Sequence, residues 1–179
     1  MLKVVRAKLH GIRVTDADFN YHGSITLDPE HCEMAGIYPM EFVDIWNKNT
    51  GARITTYVIT GKPGSRSCIL NGAASRTCQV GDELIVCASE YCETGRLYDL
   101  KPRILTFLPD NHVDQVLQYD VFKSKDRAYD FRIVNADKNT LEDCHTYANV
   151  DVYAIQEELK DLGWREDQID AFCDAHFNL

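Results

Sequence analysis

The chain has 179 residues with 45 % hydrophobic content, enough to bury one good core and a small appendage. Its net charge of −9 is uneven: residues 1–112 hold 12 Lys and Arg against 13 Asp and Glu, whereas residues 113–179 hold 7 against 15. An acidic chain without a basic stripe argues against nucleic acid as a partner. No apolar run approaches the roughly 20 residues of a membrane span, and Met1 to Leu9 carries charges where a signal peptide needs an apolar stretch, so the chain reads as cytoplasmic.

Ile25-Thr26-Leu27, Val43-Asp44-Ile45, Ile54 to Ile59 and Leu84-Ile85-Val86 are short runs rich in β-branched residues. Asn49-Thr50-Gly51, Lys62-Pro63-Gly64 and Val80-Gly81-Asp82 supply turn signals between them, a pattern that suggests a small all-β barrel. One short helix interrupts it over Asp28 to Ala35, with Asp28 as N-cap and Pro29 at the first helical position. Val113 to Val134 supplies one or two further strands. From Asp151 the spacing turns helical: Val152, Ile155, Leu159 and Leu162 share a face and Gly163 closes the end. A second helix from about Glu166 carries Ile169, Phe172, Cys173 and Phe177, and the two form a helical hairpin.

Seven cysteines (32, 68, 78, 87, 92, 144 and 173) show no CxxC pair and read as free, buried thiols of a reducing compartment. Cys173 and His176 have ligand-like spacing, but two ligands do not make a zinc site, so no metal is expected.

In Tyr21-His22-Gly23-Ser24, the serine hydroxyl can attack the carbonyl carbon of the preceding residue. Glycine there removes a crowding Cβ and tolerates a strained backbone. Alone this is weak, since Gly64-Ser65 repeats the dipeptide and an ordinary turn before a strand explains both. The surroundings add specificity. Lys8-Leu9-His10, Tyr21 to Ser24, Asp44-Ile45-Trp46-Asn47, Gly51-Ala52-Arg53 through Thr56-Tyr57, Gly64-Ser65-Arg66, Asn71-Gly72-Ala73-Ala74, Val80-Gly81-Asp82, Lys101-Pro102-Arg103 and Pro109-Asp110-Asn111 follow one another in register. Together they resemble the aspartate alpha-decarboxylase family over about residues 1–112.

The resemblance implies a mainly β protein, a double-psi β-barrel over residues 1–112, assembled as a homotetramer. Residues 113–179 then form an acidic α-helical (α/β) extension to which the resemblance does not apply. It further implies that the Ser24 hydroxyl attacks the Gly23 carbonyl to give an ester, which eliminates to dehydroalanine and hydrolyses to a pyruvoyl group, with Thr56 stabilising the oxyanion. Decarboxylating an α-amino acid needs an electron sink that no ordinary side chain provides, and the covalent pyruvoyl cofactor made from Ser24 is such a sink. By the same resemblance, Arg53 grips one substrate carboxylate through a planar two-bond contact, and Lys8 and His10 supply positive potential toward the other. Tyr57 is the general acid, Asn71 with Gly72, Ala73 and Ala74 lies against the cleavage site, and Trp46 and Tyr21 wall the pocket. Read singly, Arg53 is a solvated side chain after a turn, His10 a structural histidine, and Tyr57 and Trp46 core aromatics.

The expected reaction is decarboxylation of L-aspartate to β-alanine for pantothenate and coenzyme A synthesis. Glutamate, one methylene longer, is the alternative substrate, and an uncleaved barrel used as an interaction module is the alternative from another class. The extension is expected to dock on the assembly and to contribute no substrate-binding group.

Overall fold

The computed structural model describes residues 1–136, 140–142 and 152–177. Eleven strands are described: β1 (Leu2–Arg13), β2 (Asp16–Asp18), β3 (Ser24–Leu27), β4 (Phe42–Asn47), β5 (Arg53–Thr60), β6 (Cys68–Asn71), β7 (Glu83–Cys92), β8 (Arg103–Phe107), β9 (Val113–Phe122), β10 (Asp130–Asn135) and β11 (Thr140–Glu142). They join in the order β11-β10-β9-β8-β1-β7-β4-β5-β3-β6-β2. Most neighbours are antiparallel, but β1 with β8, β2 with β6 and β3 with β5 run parallel. The architecture is the mainly β barrel of the expected class, with helices after it.

Alternation along β1 sets the two faces. Ala7 and Leu9 are fully buried and pack with Val43, Ile45, Val58, Leu84 and Val86, while Lys8 and His10 point to the outer face. Register shifts at Arg6 and Gly11 bend this long strand, and Gly11 takes a φ of 86° that favours glycine at such a bulge.

Helix α1 (Pro29–Ala35) begins as expected, with Pro29 in its first turn and Asp28 as the cap. Asp28 does more than cap. Fully buried, its carboxylate accepts from the backbone N–H of Glu30 (3.0 Å), Gly64 (3.2 Å) and Arg66 (2.5 Å), so it ties the end of β3 to the 62–67 loop.

Asn111 is buried and makes a two-way bond with the Arg13 backbone, at 2.8 Å each way, and a third to the Arg66 carbonyl at 3.1 Å. The next strand, β9, pairs with β8 from Arg103↔Gln118 to Phe107↔Val113, so the sheet passes through the expected boundary without a break. Buried Asp120 locks it, accepting from Lys101 on the β8 side and from Arg132 Nε on β10 at 2.8 Å.

Helices α2 (Val152–Asp161) and α3 (Glu166–Phe177) form the hairpin, with Gly163 at φ 84° in the left-handed cap between them. Ile169 and Cys173 are buried against Leu159 and Phe172. Leu162 departs from the expected face. It lies past the last helical residue, in the turn, and is 76 % exposed. The side chains of Val152, His176 and Phe177, and all of Cys144, lie outside the described residues. The six described cysteines are unpaired and buried; burial pushes the Cys32 thiol up to about 12, as the inert-hydrophobe reading requires. Among the described residues no helix is long and apolar enough to cross a membrane.

Candidate active site

The anticipated residues fall into two groups on one sheet. The first surrounds Ser24. This residue opens β3 fully buried, with its backbone at φ 130°, and Gly23 before it sits at φ 95°. Glycine adopts such values freely, whereas a serine at 130° is in a region that side chains with a Cβ avoid at a cost of roughly 1–3 kcal/mol. The surroundings hold it there. Ser24 pairs with Asn71 of β6, and the Asn71 Nδ2 donates to Ser24 Oγ at 2.8 Å and to Thr26 Oγ1 at 2.8 Å.

Gly72 opens a 3-10 turn over Gly72–Arg76 that carries Ala73 and Ala74. A Cβ at Gly72 would stand 2.8 Å from Gly23 N, 2.8 Å from Tyr21 O and 2.9 Å from Gly23 Cα. Only a glycine lets this backbone lie directly against the Tyr21–Gly23 turn. Tyr21 itself is half exposed at the rim beside His22, with ring centroids 5.6 Å apart.

On the other side β3 runs parallel to β5, with Ile25 opposite Val58. One step back brings Ser24 level with Tyr57, and two steps bring Gly23 level with Thr56. Tyr57 is half-buried and tilts against Phe42 at 6.0 Å.

The second group lies on the outer face farther along the sheet. Cross-strand register forms one row of His10, Ile85, Trp46 and Arg53, and an adjacent row of Lys8, Cys87, Asp44 and Thr55. The Arg53 guanidinium stacks over Trp46 at 5.2 Å, turned toward β4 and away from β3. Asp44 accepts from Thr55 Oγ1 (2.7 Å) and Lys3 Nζ (2.9 Å), which together hold its carboxyl below the usual range.

His10 departs from the expectation of positive charge. Burial, then the nearby Lys8 and Lys48, lower its pKa below the ordinary histidine value, and its buried Nδ1 has no hydrogen-bond partner among the described residues. That shift disfavours the charged imidazole and so reduces the positive potential expected from this position.

Along the sheet of one chain the two groups are offset from each other. Arg53 precedes Tyr57 by four residues, about 13 Å at the rise of a strand, and β7, β4 and β5 stand between the strand of Lys8 and that of Ser24 in the sheet order. Thr26 and Tyr119 escape the sequence reading. Thr26 shares the face of Ser24 by simple alternation, which is a usable signal; Tyr119, whose Oη accepts from Lys8 Nζ at 2.6 Å, lies in the extension, where the resemblance offers no guide.

The sequence model of the family described as aspartate decarboxylase matches residues 1–114. This chain belongs to the aspartate decarboxylase family. The family is one of carboxy-lyases, and the Ser24 cluster and the outer-face rows all fall within the matched span. An aspartate 1-decarboxylase of Paramagnetospirillum magneticum is 69 % identical over 180 residues, covering all of both chains. Those of Rhodospirillum centenum and Agrobacterium fabrum are 72 % and 62 % identical over 135 and 133 residues, or 75 % and 74 % of this chain and 89 % and 86 % of theirs. The extension is therefore shared at full length with the first of these aspartate decarboxylase family members.

Proposed function

We propose that this protein cuts its own backbone between Gly23 and Ser24 and, with the pyruvoyl group formed at position 24, decarboxylates L-aspartate to β-alanine and carbon dioxide. The buried Ser24 at φ 130°, its hydroxyl fixed by Asn71 and its preceding turn pressed against Gly72, carries this reading. Strain concentrated on one peptide is relieved when that peptide is broken. Thr56, level with Gly23, suits the oxyanion role during attack.

The residues present fit the group. A pyruvoyl at position 24 would be held by the β3 register, the Asn71 amide and the Gly72 turn, in a space where no larger residue at 72 is tolerated. When formed, it supplies an electrophilic carbonyl that takes up the electron pair left by departing carbon dioxide. The chain's own groups bind, orient and protonate. Tyr57, at the level of Ser24, has a phenol able to deliver a proton there. Arg53 suits one carboxylate by its planar fork and Lys8 adds positive charge.

Because Arg53 and Lys8 are offset from Ser24 along their own sheet, the reading has a second protomer present that outer face to the cleavage site. This supports a homo-oligomer, with the tetramer implied by the family resemblance. The unpaired cysteines support a reducing, cytoplasmic setting, and β-alanine would feed pantothenate synthesis.

Intact mass combined with product analysis tests the proposal: a short chain ending at Gly23, a long chain blocked by pyruvoyl, and β-alanine formed from aspartate faster than 4-aminobutyrate from glutamate. Preferred glutamate turnover would reassign the substrate, and an uncut inactive chain would leave the interaction-module reading.

A further inference from the structure

We infer that Tyr119, on strand β9 beyond the family match, is a positioning residue that fixes the Lys8 ammonium for the substrate carboxylate. The inference rests on the reading of Lys8 as a substrate-binding group. Register puts the two on one face: Lys8 lies opposite Ile104 of β8, Ile104 lies opposite Leu117 of β9, and Tyr119 follows Leu117 by two. The Lys8 Nζ donates to Tyr119 Oη at 2.6 Å and sits 5.0 Å from the centre of its ring.

Tyr119 is itself held. Phe131 of β10 packs edge-on against it at 5.2 Å, its backbone N–H bonds the Pro102 carbonyl at 3.0 Å, and its ring forms one wall of an apolar cleft with Val4, Val121 and Phe131.

The consequence for Lys8 follows from its chemistry. A free lysine side chain loses more rotamer freedom on being fixed than almost any other, so a partner that orders it beforehand strengthens ligand binding. One of the three ammonium donors goes to Tyr119, which leaves two for a carboxylate, and the phenol keeps its own proton to donate. Among the described residues no carboxylate pairs with Lys8, so its charge is available to a ligand. This revises the expectation that the extension adds nothing to substrate binding.

The test uses the processed, full-length enzyme, with Tyr119→Phe, Lys8→Met and the double variant. The phenylalanine keeps the ring packing on Phe131 and removes only the hydroxyl. Two readouts are taken: kcat and KM for aspartate, and calorimetric binding of succinate, a dicarboxylate without the amine. Tyr119→Phe should raise KM and weaken succinate by about fivefold, the equivalent of one ordinary hydrogen bond, with kcat near normal. Lys8→Met should weaken both by more, and adding Tyr119→Phe to it should change nothing further. If Lys8→Met leaves KM and succinate binding untouched, the Lys8 reading fails and the inference with it. If Lys8→Met weakens binding but Tyr119→Phe does not, or the two effects simply add, Lys8 stands and the role of Tyr119 is overturned. A Tyr119→Phe enzyme that loses only thermal stability or kcat overturns it equally.

Discussion

Gly72 lies directly against the Tyr21–Gly23 turn that leads into buried Ser24 and has no room for a side chain. Replacing Gly72 by alanine drives a methyl into backbone atoms 2.8–2.9 Å away and places a Cβ at φ 60°, so the turn must move. We expect Gly72→Ala to cost about 1–3 kcal/mol of stability and to slow cleavage at Gly23–Ser24 by at least tenfold, since the carbonyl leaves its attack position. A time course of chain cleavage in the refolded precursor measures it; normal processing would mean the close approach is irrelevant. Arg53→Lys keeps charge but replaces the planar fork stacked on Trp46 by a point charge. Processing should proceed, and kcat/KM for aspartate should fall by at least tenfold, because the bidentate carboxylate contact is worth about 1.5–3 kcal/mol. A fully processed Arg53→Lys enzyme of near-normal efficiency would remove Arg53 from the site.

Strand β9 depends on one buried carboxylate between two cations. Burial alone pushes the Asp120 carboxyl up, but bonds from Lys101 and Arg132 outweigh it and hold the group below the usual range. Its contribution is thus fully present above the ordinary aspartate pKa of about 3.9 and is lost as pH falls through the lower folded value. Asp120→Asn should cost about 2 kcal/mol near pH 7, and the gap in Tm from the parent should close as pH drops below the ordinary aspartate range and through the lowered folded value. A gap that persists in acid would assign the cost to packing rather than charge. The same scale shows what the sequence makes legible. Strands β3, β4, β5 and β7 and helix α1 announce themselves through β-branched runs and a capping aspartate. Strand β1 does not, because the bulges at Arg6 and Gly11 break its alternation and charged residues occupy its outer face. The Gly23-Ser24 site is legible through the blocks around it, yet the strain at Ser24 and the Gly72 approach are properties of tertiary contact. Tyr119 is silent in sequence because its partner lies 111 residues away. Leu162 is misjudged since helical spacing cannot say where the helix ends.

At the scale of the molecule, one end of the sheet carries the scissile turn and the other carries the extension, with the outer-face rows between. A chain ending at Asn111 would uncover the β8 edge, including buried Ile104 and Leu105, and remove Tyr119. It should melt lower and bind succinate more weakly while still cutting at Gly23–Ser24, whose neighbours β5 and β6 are retained. Loss of cutting in a folded, assembled protein of this length would tie the extension to processing. The central claim, that strained Ser24 becomes the catalytic carbonyl, is tested most directly by intact mass spectrometry of the parent beside Ser24→Ala. The parent should appear as residues 1–23 and a pyruvoyl-blocked chain of residues 24–179, while Ser24→Ala remains one intact, inactive chain with Gly64–Ser65 uncut in both. A single uncut parent chain that still releases carbon dioxide from aspartate, or a Ser24→Ala protein that is cut and active, would contradict the account.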